Sequence, residues 1–475
     1  NWDGKIRFLR NNGMLPRGLL KECVEKLKEM GIPYEIDPQL EQKQIDISNF
    51  EEVIRTELLA KQKDKKLEPW ENQWNTAKAL LLNRCGISKS ATSSGKSFTI
   101  TMVVKYLMYM KYVKKVMLVV PRTDLVIQFS RDAEEYGFDA KDIGMFFGRI
   151  KDADKPFLIS TWQSLQNVED KPFFEDVDCL IIDEAHGAST SSKLDSKKKR
   201  ETLGTKMRQM CDWCVNASWR FGLTGTLPTD TLDVRTIISG IGPIIDVVTS
   251  KELMDKGKIS PLKIIVPFVS YDKKIVKEKI KGYLLEQGIT EDTKKEDIPV
   301  SAKYIAEKRF LENYLPRLKY ISTIVKNRLE KEENILILAN SLNFGGNIKK
   351  VLEHKLSKEY NQLYYIHGEI DEMKRKDIRQ IMEDNKKIII IATTSLFSTG
   401  ISVKNLHSVI FGNIGKSKIT TLQAIGRSLR LHGSKDYAKV YDICDNLKYN
   451  AKHARERLEY YAGEEFEIKL TELML

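Results

Sequence analysis

The run Cys179-Leu180-Ile181-Ile182 ends on Asp183-Glu184-Ala185-His186, and no other stretch of the 475 residues constrains the fold as tightly. Four consecutive apolar residues are strand-sized, and a strand apolar on both faces belongs in a sheet covered on both sides. Two carboxylates at its end then sit on the rim of that sheet. Upstream, Ser93-Ser94-Gly95-Lys96-Ser97 opens the 98–110 stretch, which reads as a helix. A loop of small residues feeding a helix N-terminus presents backbone N–H groups to an anion.

The same punctuation recurs along the chain. Short apolar runs at 116–120, 157–161, 179–182 and 220–223 alternate with amphipathic stretches. The pattern resumes after Pro261 at 264–269, 335–339, 363–367, 388–392, 408–411 and 438–442. Strands separated by helices form parallel sheets with helices on both faces. The expected class is therefore α/β, with parallel-sheet domains at 67–260 and 261–475 joined near 250–261. Residues 1–66 read as a small α/β unit followed by a charged helical connector. There Lys5-Ile6-Arg7-Phe8-Leu9 alternates like a strand, and Leu19, Leu20, Cys23, Val24, Leu27 and Met30 recur at helical spacing before Gly31. The 32–36 run would return as a second strand. Residues 271–329 are charged and mostly helical, with a polar loop at 290–297.

Lys and Arg number 78 against 66 Asp and Glu, a net charge of +12, which favours a polyanionic partner. Lys5, Arg7, Arg10 and Arg17 would give the N-terminal unit a basic face for duplex DNA. The 193–200 loop, with Lys197-Lys198-Lys199-Arg200, is either a phosphate-contacting element or a solvated one. Of six cysteines only Cys211 and Cys214 form a C-x-x-C, and without further ligands nearby they read as core thiols. No disulfide framework is apparent, which fits a reducing compartment. No apolar run approaches the roughly 20 residues of a membrane helix, so no membrane partner is expected.

In a P-loop, backbone N–H groups and a lysine surround the phosphates of a nucleotide, while Ser or Thr holds magnesium. Thr92, Ser93, Ser94 and Gly95 would form that loop, Lys96 would meet the β- and γ-phosphates, and Ser97 would bind Mg²⁺. Ser90 stands where the pattern has its first Gly. Asp183 would share the metal, and Glu184 would orient and deprotonate the attacking water. Farther along, Gln423, Arg427 and Arg430 fall at i, i+4 and i+7, on one side of a helix. Guanidinium groups there would reach the γ-phosphate of ATP if the two domains close on it.

With these residues in order, the chain resembles the superfamily 2 helicases and translocases that carry a DEAH motif. Gln73 resembles the family's adenine-reading glutamine, although Asn72 replaces the aromatic that usually precedes it. Pro121 and Arg122, and Thr161 and Trp162, resemble first-domain motifs that contact a nucleic-acid strand. Leu223-Thr224-Gly225-Thr226 resembles the motif that links hydrolysis to domain closure, a coupling in which Thr224, Thr226 and His186 would take part. Asn340 and Ser341 resemble motif IV; Thr393 and Thr394, continuing to Gly400, resemble motif V, with Ser402 where many members carry Asp. More narrowly, residues 1–7, 398–407 and Leu431-His432-Gly433-Ser434-Lys435 resemble the recombination and fork-remodelling helicases of T-even-like bacteriophages.

The resemblance implies two tandem RecA-like domains with a small N-terminal accessory domain, and ATP and Mg²⁺ as cofactors. The implied activity is an ATP-dependent DNA helicase that unwinds branched DNA, regresses forks and migrates junctions in recombination, repair and replication. Implied partners are single-stranded, duplex and branched DNA, RNA–DNA hybrid, and recombination or single-strand-binding proteins, in the cytoplasm of a bacterial host. The alternative is a duplex translocase that never separates strands, as in the motor subunit of a restriction complex.

Overall fold

The computed structural model describes residues 8–9, 13–36, 45–62, 66–189, 206–290, 292–294, 296–356, 360–368, 370, 372–394 and 403–475. The chain divides between Thr249 and Ser250 into two compact units, each built on one sheet. The first sheet contains β1 (Cys85–Ser90), β2 (Val116–Val120), β3 (Ile143–Phe147), β4 (Ile150–Lys151), β5 (Phe157–Thr161), β6 (Cys179–Asp183), β7 (Trp219–Thr224) and β8 (Ile244–Val248). Their order is β4-β3-β5-β2-β6-β7-β1-β8, parallel except for the β3–β4 hairpin. Parallel strands bring all their C-terminal ends to one rim, so the loops after β1, β2, β5, β6 and β7 meet there.

Burial explains why the apolar runs make these strands. All five residues of β2 are inaccessible, and they alternate between two cores. Val116, Leu118 and Val120 join a cluster with Phe50, Leu80, Val103 and Tyr106, while Met117 and Val119 join another with Leu180, Met210 and Ile237. This is the two-residue period of a strand covered on both faces. Cys211 and Cys214 are buried in the second cluster.

Helix Leu20–Glu29 forms where the spacing predicts it. Helix Phe50–Glu57 sets Phe50 and Ile54 into the first core, with Phe50 edge-on to Tyr106 at 5.1 Å. The 32–36 run does not return as a strand: Ile32 and Tyr34 are exposed, with no sheet edge to bury them. Arg17 does not join an outward basic face either, since its Nη1 turns inward to Ala217 O at 3.4 Å. Lys5, Arg7, Arg10, most of the expected 5–9 strand and the 193–200 loop lie outside the described residues.

The second sheet contains β9 (Leu262–Ser270), β10 (Ile335–Ala339), β11 (Leu363–Ile366), β12 (Ile389–Thr393), β13 (Ser408–Asn413), β14 (Ala438–Asp442), β15 (Cys444–Asp445) and β16 (Glu467–Met474). The order is β11-β12-β10-β13-β14-β9-β15, with β16 also paired to β9 and every pairing parallel. Helices Lys273–Leu285, Val300–Asn313 and Leu315–Leu329 fill the stretch between β9 and β10. Two buried ion pairs tie helices to the strand ends. Arg317 grips Asp445 through two 2.8 Å bonds, and Arg457 grips Asp442 through two more of the same length. Removing one member of such a pair strands a buried charge, so Arg317→Leu should destabilise the protein by about 3–5 kcal/mol. Thermal unfolding measures this; a change below about 1 kcal/mol would show that Asp445 finds another partner or a proton.

Candidate active site

The loop after β1 leaves the sheet at Ala91 and enters helix Lys96–Tyr109 through Gly95. Gly95 adopts φ +80°, and a Cβ there would lie 1.9 Å from Gln73 Nε2. Only glycine meets both demands at once. Gln73 is buried beneath the loop, where its amide donates to Ser94 O (3.3 Å) and Gly95 O (3.2 Å) and accepts from Trp70 N (2.7 Å). Its placement is that of a strut under the P-loop. Lys96 Nζ curls over the loop to Ser90 O (3.2 Å) and Ala91 O (3.4 Å). Ser97 Oγ lies 3.1 Å from the Tyr136 hydroxyl, whose ring stacks on Phe98 at 4.2 Å.

Strand β6 delivers Asp183 and Glu184 to the same rim. Its neighbour β7 pairs Leu223 with Asp183, and β1 pairs Lys89 with Thr224, so Thr224 stands between the carboxylates and the P-loop. Burial and the adjacent Glu184 carboxylate push the Asp183 carboxyl up to about 6. Its Oδ1 is buried without a hydrogen-bond partner among the described residues. A carboxylate oxygen kept from protein donors, with a serine hydroxyl on the neighbouring loop, is the oxygen-rich donor set that Mg²⁺ takes. Asp183 and Ser97 therefore fit the metal that a nucleotide brings.

Glu184 has left-handed backbone angles, φ +51° and ψ +52°, strain of the kind that gathers at working sites. Its Oε2 lies 3.3 Å from His186 Nδ1, and that nitrogen lies 3.0 Å from Thr224 Oγ1. The Thr224 hydroxyl donates its one proton to Thr226 O at 2.9 Å. His186 Nδ1 must then donate its proton to Thr224 Oγ1, with the Glu184 carboxylate beside it. The residues expected to couple hydrolysis to movement, His186, Thr224 and Thr226, thus form one chain with Glu184. Gly225, between the two threonines, lies against Thr92: a Cβ there would be 3.2 Å from Thr92 Oγ1.

Farther along the rim, β2 and β5 pair Val120 with Thr161. Pro121, Arg122, Asp124, Lys151, Thr161, Gln163 and Asn167 line a groove of ≈ 510 Å³. Thr161 is buried and its hydroxyl caps the short helix Trp162–Leu165, accepting from Ser164 N at 3.3 Å. Trp162 packs on the second core instead of lining the groove. Gln163 closes the 159–163 motif, whereas Lys151 and Asn167 escaped the sequence reading because they lie in no motif; only the hairpin fold of β3 and β4 places Lys151 here.

In the second unit Ala339 pairs with Thr393, so Asn340 and Thr394 leave adjacent strands at one rim. Ser341 caps helix Leu342–Lys355 and donates to buried Glu312 at 2.7 Å. Gly400 and the rest of 395–402 lie outside the described residues. Helix Lys418–Ser428 carries Gln423 and Arg427, but Arg430 lies past its end, a correction to the single helical face. Ser260 N donates to Leu429 O (2.7 Å) and Ser260 Oγ to Arg430 O (3.1 Å), drawing the chain off the helical path. Even so, within 421–430 every residue except Gln423, Arg427 and Arg430 is buried.

A parallel sheet with a P-loop after one strand, an Asp-Glu pair after another and a Thr-Gly-Thr turn between them defines a nucleotide-hydrolysing motor domain, and a second parallel-sheet unit follows it. The chain belongs to the superfamily 2 helicases. Residues 55–229 match the family described as "Type III restriction enzyme, res subunit", and 316–432 match "Helicase conserved C-terminal domain". The chain is similar to the protein named "ATP-dependent DNA helicase uvsW" of Enterobacteria phage T4, at 30% identity over 98% of this chain and 89% of that one. It is 22% identical to a type I restriction enzyme EcoAI endonuclease subunit of Escherichia coli, over 78% of this chain and 44% of that one. In fold it resembles the DEAD-box helicase Mss116 bound to single-stranded RNA, with a TM-score of 0.57, 15% identity, and coverage of 93% and 81%. Two tandem RecA-like domains, as the sequence implies, are the architecture of an ATP-dependent helicase.

Asp183 supplies a test of the site's electrostatics that needs no nucleotide. A carboxyl raised to about 6 when folded, against an unfolded value near 3.8, is neutral in the fold below that window. Its charge destabilises the fold as pH rises through the window, and fully above it. Asp183→Asn should therefore raise the melting temperature by a few degrees at pH 8, an advantage that shrinks as pH falls from 6 toward 4. A gain independent of pH would refute the assigned cause.

Proposed function

We propose that this protein is an ATP-dependent DNA helicase that unwinds and remodels branched DNA by fork regression and junction migration. The observation that carries this reading is the meeting of the P-loop, Asp183-Glu184 and the His186–Thr224 chain on one rim, beside the Arg122 groove. The similarity to a phage DNA helicase across nearly the whole chain supports DNA as the substrate.

In this reading ATP lies in the Thr92–Gly95 turn, its phosphates facing the N–H groups that open helix Lys96–Tyr109. Lys96 leaves its carbonyl acceptors for the β- and γ-oxygens. Ser97 and Asp183 would hold Mg²⁺, which when bound would neutralise phosphate charge. Glu184 orients a water and takes its proton. Arg427 and Arg430 complete the charge compensation at the γ-phosphate, with Gln423 beside them; an arginine in this role contributes about 10³–10⁵ in rate. When phosphate leaves, the Glu184 side chain changes partners, and His186 passes that change to Thr224, Thr226 and the Gly225–Thr92 contact. Gln73 supports the loop from below.

Nucleic acid is held mainly by its phosphates: Pro121, Arg122 and Thr161 on the first unit, Asn340, Ser341, Thr393 and Thr394 on the second. Phosphate contacts carry affinity without sequence preference, as a translocating enzyme requires. Residues 1–66 act as the accessory element that engages duplex or branched DNA, ahead of motor halves at 67–260 and 261–475.

The deciding experiment compares ATP hydrolysis and strand separation on single strand, blunt duplex, fork, four-way junction and RNA–DNA hybrid. DNA should stimulate hydrolysis strongly, with most remodelling on forks and junctions. Lys96→Ala and Glu184→Gln should each lower turnover by at least about 100-fold. Hydrolysis indifferent to every nucleic acid defeats the reading; stimulation by duplex without strand separation favours the translocase, to which the restriction-enzyme similarity points. Thr224→Ala breaks the relay while leaving the nucleotide ligands in place. It should cut unwinding at least tenfold while hydrolysis falls less than threefold; equal losses would remove the coupling role.

A further inference from the structure

Helix Lys273–Leu285 has the sequence KKIVKEKIKGYLL, with five lysines and one glutamate. Val276, Ile280 and Tyr283 face the second unit's core. At 100° per residue, Lys273, Lys274, Lys277 and Lys281 fall within about 100° of arc on a neighbouring side. All four are exposed, and among the described residues no ion pair engages Lys273, Lys274 or Lys277.

Folding alone disfavours this arrangement twice over. Lys273, Lys277 and Lys281 repel one another at i, i+4 and i+8. Lys273 and Lys274 also occupy the first turn, at the positive end of the helix dipole, where acids are preferred. Asp272 already caps that end, accepting from Lys274 N (2.7 Å) and Ile275 N (3.2 Å). The lysines therefore contribute nothing to capping. For Lys273, Lys274 and Lys277 no ion pair among the described residues offsets this locally unfavourable choice, which marks a functional surface.

The position fits a polyanion running along the sheet rim. Strand β9 delivers Lys273 and Lys274 to the same C-terminal rim as Asn340 and Thr393, because β9, β10 and β12 are parallel members of one sheet. The helix is also braced to motif IV. Glu286, one residue past its end, pairs with Arg309 at 2.9 Å, and Glu312 of that same helix Val300–Asn313 accepts from Ser341. From Lys273 to Lys281 the stripe spans about 12 Å, a length that faces about seven phosphate charges of duplex DNA at one per 1.7 Å.

We propose that this helix is a second nucleic-acid contact, outside the motor motifs, which grips the phosphate backbone of duplex DNA beside the rim carrying Asn340 and Thr393. The proposal rests on the helicase reading above. Its test is the full-length double variant Lys273→Glu/Lys277→Glu, assayed by binding to a labelled 30-base-pair duplex across a KCl series, with melting temperature and single-strand-stimulated hydrolysis alongside. Expected is at least a tenfold weaker duplex Kd near 0.1 M salt and a salt slope shallower by about two, at roughly 0.9 per phosphate contact. Melting temperature should hold or rise, because the variant relieves the repulsion and suits the dipole, and single-strand-stimulated turnover should stay within twofold. An unchanged Kd and slope overturn the proposal, as does weaker binding accompanied by a lower melting temperature. A wild-type protein that binds no duplex overturns this proposal alone, as does DNA-stimulated wild type with an indifferent variant, whereas wild-type hydrolysis indifferent to every nucleic acid overturns the helicase reading as well.

Discussion

The nucleotide site depends on the close approach of Gly95 to Gln73, whose amide nitrogen would lie 1.9 Å from a Cβ at that position. The chain must turn from a strand into a helix within Ala91–Gly95 while keeping its N–H groups available to phosphate. That turn needs a left-handed residue at Gly95 and a left-handed Ser93 at φ +69°. Side chains reach the loop's carbonyls as well, adding to backbone donors such as Ser94 N on Ala91 O and Phe98 N on Gly95 O. Gln73 does this for Ser94 and Gly95, and the curled Lys96 does it for Ser90 and Ala91. Since a lysine bonded to neutral carbonyls gains far more from a phosphate, the loop holds its cation ready at little cost.

A second polar network steadies the strand beneath. Ser88 and Thr76 both donate to Asp246 Oδ2, at 2.7 and 2.8 Å, and Ser88 and Ser90 share a 2.6 Å bond. Asp246 belongs to β8, so the edge strand locks β1 in register directly below the P-loop. The site is thus mounted on buried hydroxyl–carboxylate bonds as well as apolar packing, which fixes orientation more sharply than apolar contact alone.

The second unit uses buried acids for the same purpose. Glu307 and Glu312 project from one helix and accept at the starts of two others: Glu307 from Tyr449 N and Asn450 N, Glu312 from Ser341 Oγ. Carboxylates near helix N-termini meet unsatisfied donors and the positive end of the dipole. Glu312 thus anchors the charged, mostly helical 271–329 stretch beside Asn340, and Glu307 anchors it to residues 449 and 450. Burial raises the Glu307 carboxyl above its usual range while the bonds from residues 449 and 450 oppose that shift.

The sequence by itself determined the class of fold and the strands whose residues are apolar on both faces, and it supplied the proposed chemistry of the site. Those features follow from local pattern: an apolar run of strand length, a small-residue loop before a helix, acids after a strand. Strand β1 escaped that reading because Ser88, Lys89 and Ser90 look like a loop until Asp246, some 160 positions away, is brought alongside them. The exposed edge strand β16 escaped because little of it is buried. Tertiary structure alone decided that Gln73 braces the loop, that His186 joins Glu184 to Thr224, and that the chain leaves the helix before Arg430. Each of these depends on bonds between residues distant in the chain, whose closing is governed by the register of neighbouring strands and not by the local run of residue types.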